Sequence, residues 1–396
     1  MQLTDSSHDI VAATASTVAA HAEEITRRFY ADMFEARPDL LNVFNRANQA
    51  NGEQQKTLAA SIVAFGTWLV SSDEPDFAPV MSRIAHKHVS LGIRGRDYLI
   101  VQRYLLAAIG KVLGEAVTPA VAAAWDEVYW LFATALIAEE ARLYALSGVD
   151  PEEPWQPYRV TGRVDETDDV FSLLLAPVDG TVPAYEPGQY ISIAVDLPDG
   201  VRQPRQYTLS SAHGSDALRI TVKRVRAEDG RPAGQVSSFL HEHAVPGAVF
   251  DVTKPAGDVT LAPGSGPLVL VSAGIGITPV AASVDELARR QPERPVRVLH
   301  ADRTQEEHPL RDEIAERLAG MADASSRAWY AQGADGRGGR LDLSEVDLTP
   351  DATVFMCGSL PFMQQVRHAA IAQGIAPEAI RYEVFGPDMW IQRPAA

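Results

Sequence analysis

The sequence predicts a multidomain chain: an all-α region first, a β region second, and an α/β region on a parallel sheet last. Three observations support this. The chain has 396 residues, and at roughly 150 residues per domain that suits two or three. Its texture changes twice along its length. Each change falls at a stretch rich in Pro, Gly or acid, Ser147-Gly-Val-Asp-Pro-Glu-Glu-Pro-Trp-Gln-Pro157 and Ala262-Pro-Gly-Ser-Gly-Pro267, and such stretches make turns or linkers. The expected domains are therefore 1–148, 149–264 and 265–396.

From about Ser7 to Leu146 the chain is rich in Ala and helically periodic. Pro38, Pro75, Pro79 and Pro119 sit where helices start or stop. From Trp155 to about Leu261, short β-branched runs are split by Pro and Gly. Gln189-Tyr-Ile-Ser-Ile-Ala-Val195 and Leu218-Arg-Ile-Thr-Val-Lys223 alternate as strands do. From Pro267 onward, buried strands at Leu268–Ser272, Val296–His300 and Thr353–Met356 alternate with helical patterns, the order of a parallel α/β domain.

Composition excludes several classes of function. A hydrophobic share of 46% and a charged share of 22% are those of an ordinary soluble protein. A formal net charge of −17 argues against nucleic acid or an anionic membrane as a main partner, since both need basic surface. Cys357 is the one cysteine, so no intrachain disulfide, four-cysteine iron–sulfur site or Cys-type zinc finger can form within this chain. The N-terminus has no apolar signal-peptide core. The most apolar run, Leu268 to Ala282, contains Gly274, Gly276 and Pro279 and reads as strand–turn–helix, not as a transmembrane segment. A cytoplasmic protein is expected.

In the helical third, His88 follows Val80 and Ile84 at steps of four and lies on the apolar face; His86 points roughly 200° away from it. A lone inward histidine is more often a hydrogen-bonded core residue. Two further helices add weight. Gln54 heads an apolar stripe with Leu58, Ile62, Phe65 and Leu69, where an amide needs a partner. Tyr30 flanks the face made by Ile25, Phe29 and Met33. Inward His, Gln and Tyr from three helices suit a haem pocket, with imidazole as axial ligand and two polar groups for bound dioxygen.

Three segments carry a specific resemblance: Arg28-Phe-Tyr-Ala-Asp-Met-Phe34, Phe44-Asn-Arg-Ala-Asn-Gln-Ala-Asn-Gly-Glu-Gln54 and Ile84-Ala-His-Lys-His88. In this order they resemble the globin segments of bacterial flavohaemoglobins. The resemblance implies an all-α globin, then an antiparallel β-barrel binding FAD, then an α/β domain binding NAD(P). It implies His88 as the proximal ligand of haem b, Tyr30, Gln54 and Leu58 on the distal side, Phe44 against the haem, and Lys87 near its edge. Tyr98 and Glu140 match a Tyr and a Glu that hydrogen-bond around the proximal His. Here two readings diverge. The apolar face of Trp125, Val128, Phe132, Leu136 and Leu143 puts Glu139 nearer its centre, whereas the family's spacing to Tyr144 selects Glu140. Such a carboxylate makes the imidazole more basic.

In the β region, Arg205-Gln-Tyr-Thr-Leu-Ser210 resembles the Arg-x-Tyr-Ser/Thr signature of the ferredoxin–NADP reductase superfamily. Arg205 can bind a pyrophosphate in bidentate fashion, and Tyr207 can stack on the isoalloxazine. Thr208 can bond near the ring nitrogen, and Gln206 lies between them. Tyr190, in Pro187-Gly-Gln-Tyr190, matches a flavin-contacting tyrosine. Gly234, Gln235, Val236 and Ser237 open a helix whose N–H groups face phosphate.

In the last region, a buried strand enters Gly274-Ile-Gly-Ile-Thr-Pro279. Gly274, Ile275, Gly276, Ile277, Thr278 and Pro279 resemble the superfamily's dinucleotide turn, with Pro279 where a Rossmann motif has its third glycine. Ile277 stands where flavohaemoglobins often have Gln. Cys357-Gly358 looks like the family's Cys-Gly-Pro near the nicotinamide, with Ser359 replacing Pro. Glu383-Val384-Phe385-Gly386-Pro387 resembles Glu-Cys-Phe-Gly-Pro, and Phe385 would cover the flavin. Asp302 and Arg303 follow the second strand: an acid favours NADH and an Arg NADPH, so both stay open.

The resemblance runs from about Ser7 to Pro387. The activity it implies is NAD(P)H-dependent nitric oxide dioxygenation: hydride to FAD, single electrons to haem, and NO and O2 leaving as nitrate. No obligatory protein partner is expected. The alternatives are a haem sensor of oxygen or NO, and a flavin reductase serving another acceptor.

Overall fold

The computed structural model describes residues 2–42, 53–71, 77–228, 230, 232–333 and 339–385, with backbone alone over 53–60. Phe44, Gly386 and Pro387 lie outside the described residues, as do the side chains of Gln54 and Leu58. The chain divides into two units, residues 1–155 with 196–204 and 387–396, and residues 156–195 with 205–386.

The first unit is helical: α1 (Asp5–Ala20), α2 (Ala22–Ala36), α3 (Glu53–Val70), α4 (Ala78–Val89), α5 (Asp97–Leu113) and α6 (Pro119–Ser147). The start of α6 has a clear local cause. The Thr118 hydroxyl accepts the Val121 N–H, Pro119 fills the first turn, and Gly148 ends the helix at φ 62°. Ile25, Phe29 and Met33 meet Ile62, Phe65, Trp125, Val128, Phe132 and Leu136 in one core. Among the described residues α6 is the one helix long and apolar enough to cross a membrane. Its apolar stripe is instead the centre of this core, which is where a helix with such a stripe belongs.

The second unit holds two sheets. Strands β1 (Trp155–Asp165), β2 (Val170–Pro177), β3 (Tyr190–Asp196), β4 (Arg202–Thr208), β5 (Leu218–Lys223) and β6 (Val249–Thr253) run in the order β4-β3-β6-β1-β2-β5. The β1–β2, β2–β5 and β3–β6 pairs are antiparallel. The two outer strands of that order meet: Leu209, just past β4, bridges Ile220 of β5, and Ser210 N–H donates to Arg219 O at 2.8 Å. The sheet thus closes into an antiparallel barrel, leaving no free edge there. A helix, α7 (Gln235–His243), follows β5.

The second sheet is parallel throughout, with β7 (Leu268–Ala273), β8 (Val296–Asp302), β9 (Ala324–Tyr330), β10 (Thr353–Cys357) and β11 (Ile380–Glu383) in the order β11-β10-β7-β8-β9. Helices α8 (Ile277–Arg290), α9 (Arg311–Ala319) and α10 (Leu360–Ala372) connect them. The chain steps outward from β7 to β9, then returns to the other side of β7 for β10. The crevice at that reversal is where open α/β sheets bind ligands. β9 and β11 escape sequence reasoning for physical reasons: β9 is an edge strand carrying Ser325, Ser326 and Arg327, and β11 is only four residues long.

Candidate functional site

Three groups of residues stand out, the first around His88. Its Nδ1 lies 2.7 Å from Glu140 Oε1 and 2.9 Å from the Tyr98 hydroxyl. Tyr98 donates to the same Glu140 oxygen at 2.5 Å. The single phenolic proton is committed to the carboxylate, so Nδ1 carries the imidazole hydrogen and donates it to Glu140. Burial, then the Glu140 charge, holds the Tyr98 phenol far above its usual pKa, so it stays a neutral donor. The other ring nitrogen, Nε2, has no hydrogen-bond partner among the described residues.

Glu140 is 2% exposed; Glu139 instead pairs with Arg142 at 2.8 and 2.5 Å. The helical-angle reading that put Glu139 nearer the face centre is therefore corrected. The buried row of α6 in this stretch is Val128, Phe132, Leu136, Glu140, Tyr144. It follows the i+4 ridge, which slants across the helix as ridge packing does. An average face weighted by Leu143 misses that slant. Two supports escaped the sequence reading: Tyr129 donates to the Tyr98 carbonyl at 2.6 Å, and Tyr144 donates to the Ile93 carbonyl at 3.1 Å. Both are buried tyrosines on α6, which was the available signal, since a buried hydroxyl needs a partner.

These residues fit a haem. The imidazole is oriented by a carboxylate on one nitrogen and bare on the other, the arrangement metal-bound histidines have. On α4 only Ala85 is buried, and Val80, Met81 and Ile84 stay half-buried, as apolar residues do when a flat apolar group is still to cover them. Tyr30 is 4% exposed, its ring 4.7 Å from Phe29 and stacked on Phe34 at 5.6 Å. Burial raises its phenol pKa, keeping it a neutral donor. Lys87 is half-buried beside His88.

The second group ends β4. Arg205, Gln206 and Tyr207 are half-buried and Thr208 is buried. Burial lowers the Arg205 pKa and raises that of Tyr207. A desolvated guanidinium suits an anionic ligand. Gly188, at φ 104°, is pressed so close to Val259 that a Cβ would lie 2.2 Å from its carbonyl oxygen. That glycine sets the turn that delivers Gln189 and Tyr190. Gly234 is the N-cap of α7, with no side-chain cap on the first-turn N–H groups of Gln235, Val236 and Ser237. The Ser237 hydroxyl is already engaged, accepting from Val225 N–H at 3.1 Å and donating to Gly234 O at 3.2 Å. It offers a phosphate its backbone only.

The third group lies at the crevice between β7 and β10. A Cβ on Gly276 would sit 2.4 Å from Cys357 O and 3.1 Å from Gly358 N, so the turns after these two strands touch. Gly274 adopts φ 53° in the open. Thr278 donates to Ile275 O at 3.2 Å. Ile277 and Pro279 are buried, so Ile277 presents only backbone to a dinucleotide. Burial, then Glu383, pushes the Cys357 thiol well up, leaving it protonated; Glu383 is its register partner across β10 and β11. Val384 is half-buried and Phe385 is 47% exposed. Phe385 therefore caps no core.

Past β8, the Arg303 guanidinium pairs with Glu307 at 2.7 Å, and Arg303 N–H donates to Asp302 at 2.8 Å. His300 bonds Ser272 at 2.9 Å and stacks on His308 with ring centroids 3.9 Å apart. Burial, then His300, lowers the His308 pKa to about 3. The unfolded chain takes up a proton there below about pH 6.5; the folded chain does so only near the depressed value. The stability contribution is therefore full above that pH and is lost as pH falls through the window. The slope is at most about 1.4 kcal/mol per pH unit, less whatever solvent screens. His308→Asn is expected to flatten it, read as urea midpoints across that range; an unchanged slope assigns the acid lability elsewhere.

Residues 27–136 match the globin family and residues 270–368 the oxidoreductase NAD-binding domain. The flavohemoprotein of Bordetella parapertussis is 40% identical over 395 residues, covering 95% of this chain and 97% of its own. That of Bacillus subtilis is 35% identical over 396 residues, covering 96% and 97%. Among solved structures, the flavohemoglobin of Malassezia yamatoensis with bound FAD and heme superposes with a TM-score of 0.89 at 37% identity, covering 98% of this chain and all of that one. The flavohem-like FAD/NAD binding domain of a nitric oxide dioxygenase from Vibrio cholerae gives 0.55 at 35%, covering 59% of this chain and 99% of that one. A helical unit with an oriented histidine, a closed barrel and a nucleotide-type crevice thus occur together in one chain, and that chain belongs to the flavohemoprotein family.

Proposed function

We propose that this oxidoreductase is an NAD(P)H-dependent nitric oxide dioxygenase that holds haem b and FAD and converts NO and O2 to nitrate. The carrying observation is the Glu140 carboxylate 2.7 Å from His88 Nδ1. A histidine so polarised gives electron density to a metal on Nε2, which favours activation of oxygen over its storage. The Vibrio cholerae relative, the FAD/NAD binding domain of a nitric oxide dioxygenase, supports the same reading. Bound FAD supplies the change from hydride to single electrons, and bound haem supplies the iron where O2 and NO combine.

The chain's own residues do the rest. His88 Nε2 would hold the iron, and Glu140 and Tyr98 fix the ring. Tyr30 presents a neutral hydroxyl in a buried setting where a hydrogen bond to a ligand is strong; on the family pattern Gln54 and Leu58 share that side and Phe44 packs against the haem. Arg205, Gln206, Tyr207, Thr208, Tyr190 and the first turn of α7 would hold FAD. Residues 274–279, Cys357 and Gly358 would hold the dinucleotide, with 383–387 at the flavin. We take the protein to act in the cytoplasm without an obligatory protein partner.

Purified protein is expected to show a Soret band beside flavin absorbance and to form nitrate from NO, O2 and NADH. NADH oxidation by a yellow protein with no Soret band overturns the reading. Glu140→Gln keeps a hydrogen-bonding group but removes the charge. It is expected to raise the iron reduction potential and slow NO consumption about 10–100-fold. Potentiometry checks this, and an unmoved potential removes the electronic role.

A further inference from the structure

We infer that Asp285 and Glu313, with Arg219, are positioning residues for hydride transfer: they lock the nucleotide lobe onto the segment that leaves the flavin motif. The inference rests on the reading that Arg205–Thr208 holds FAD and 274–279 the dinucleotide. Three backbone groups within residues 210–213, directly after Thr208, are gripped. The Ser210 carbonyl accepts from Arg219 Nη2. Arg219 is in turn clamped by Glu313 in bidentate fashion, at 2.6 and 2.9 Å. The Ala212 N–H donates to Asp285 at 3.0 Å, and the His213 carbonyl accepts from Arg289 at 3.0 Å. Asp285 also pairs with Arg317 at 3.3 Å and Arg289 at 3.6 Å.

Asp285, Arg289, Glu313 and Arg317 come from α8 and α9, the nucleotide lobe; the gripped segment and Arg219 belong to the barrel. Here the anchor shares a rigid element with the ligand turn. α8 starts at Ile277, inside that turn, and Asp285 follows on the same helix, about 12 Å along at 1.5 Å per residue. One end of α8 thus faces the dinucleotide phosphates and its middle holds the chain four residues past Thr208. Asp285 is 8% exposed, and the Arg219–Glu313 fork fixes direction as well as distance.

In the step concerned, the C–H bond of the reduced nicotinamide breaks and the hydrogen nucleus moves with both electrons to the flavin; NADH leaves as NAD+. A misplacement of about 1 Å can slow such a step about 100-fold. The lobes must therefore be held, and these side chains hold them at the segment directly after the flavin motif.

The test uses full-length holoenzyme carrying Asp285→Ala, Glu313→Gln, or the exchange Arg219→Glu with Glu313→Arg. Stopped-flow bleaching of flavin absorbance is followed with NADH and with NADH deuterated at the transferred position. Amide exchange over 208–214 is read by mass spectrometry without nucleotide. Both single variants are expected to exchange faster over that segment. They should reduce flavin about 10–100-fold more slowly at saturating NADH, with the deuterium effect fully expressed and half-saturation changed less than about threefold. The charge exchange keeps the ion pair but leaves the Ser210 carbonyl without its donor, so it is expected to stay slow as well. If Asp285→Ala does not fold, Glu313→Gln and the exchange pair decide. Faster amide exchange with reduction constants within about twofold of the unmodified protein overturns the inference. If NADH fails to bleach the flavin of the unmodified protein, the two cofactor assignments fall first and the positioning role with them.

Discussion

Replacing His88 with Ala is expected to reduce NO-dependent nitrate formation to background while NADH still bleaches the flavin. His88 Nε2, with no hydrogen-bond partner among the described residues, is the nitrogen that would hold the iron. The side chain is not generic filling. Its Nδ1 is oriented by Glu140 at 2.7 Å, and the acceptor is fixed a second time by Tyr98 at 2.5 Å. Removing the ring leaves a buried carboxylate without one of its two donors, which costs about 1–3 kcal/mol of local stability as well as the ligand. The separation of readouts makes the result decisive: nitrate assays and the Soret band report the helical unit, and flavin bleaching reports the other. Retained nitrate formation in this variant would rule out the haem mechanism.

Gly276→Ala is expected to have the opposite signature: haem and flavin bands preserved, but flavin reduction by NADH slowed about 100-fold or more. At φ −62° Gly276 has an ordinary backbone. Space, not the dihedral angle, demands glycine there. A Cβ would meet backbone, Cys357 O at 2.4 Å and its carbonyl carbon at 2.7 Å, and backbone cannot rotate away as a side chain can. The turns after β7 and β10 would have to separate, and the crevice at the chain reversal is built from both. Single-turnover reduction with NADH checks this; a rate within about threefold of the unmodified protein shows that the crevice tolerates the wider gap.

The regions of this protein were legible in sequence where period and punctuation agree. The apolar steps of α2, α3 and α6 mark helices, the Leu268–Ser272 run marks a buried strand, and the Pro- and Gly-rich stretches mark the changes between them. β9 and β11 were not legible, because an edge strand with serines and a four-residue strand carry little burial signal. Among the candidate site residues, those at 205–208 and 274–279 were readable as local strings, since each motif lies within a few consecutive residues.

By itself the sequence determined the order of the three regions and the family. The tertiary structure decided what depends on partners distant in the chain. It chose Glu140 over Glu139, because the buried row of α6 slants along the i+4 ridge toward His88. It turned the Ile277 side chain into the core. It brought Gly276 against Cys357, Asp285 to the segment after β4, and Glu313 to Arg219 of β5. Period and motif are local properties of a chain; the direction of a side chain across a packed interface is set by what it packs against.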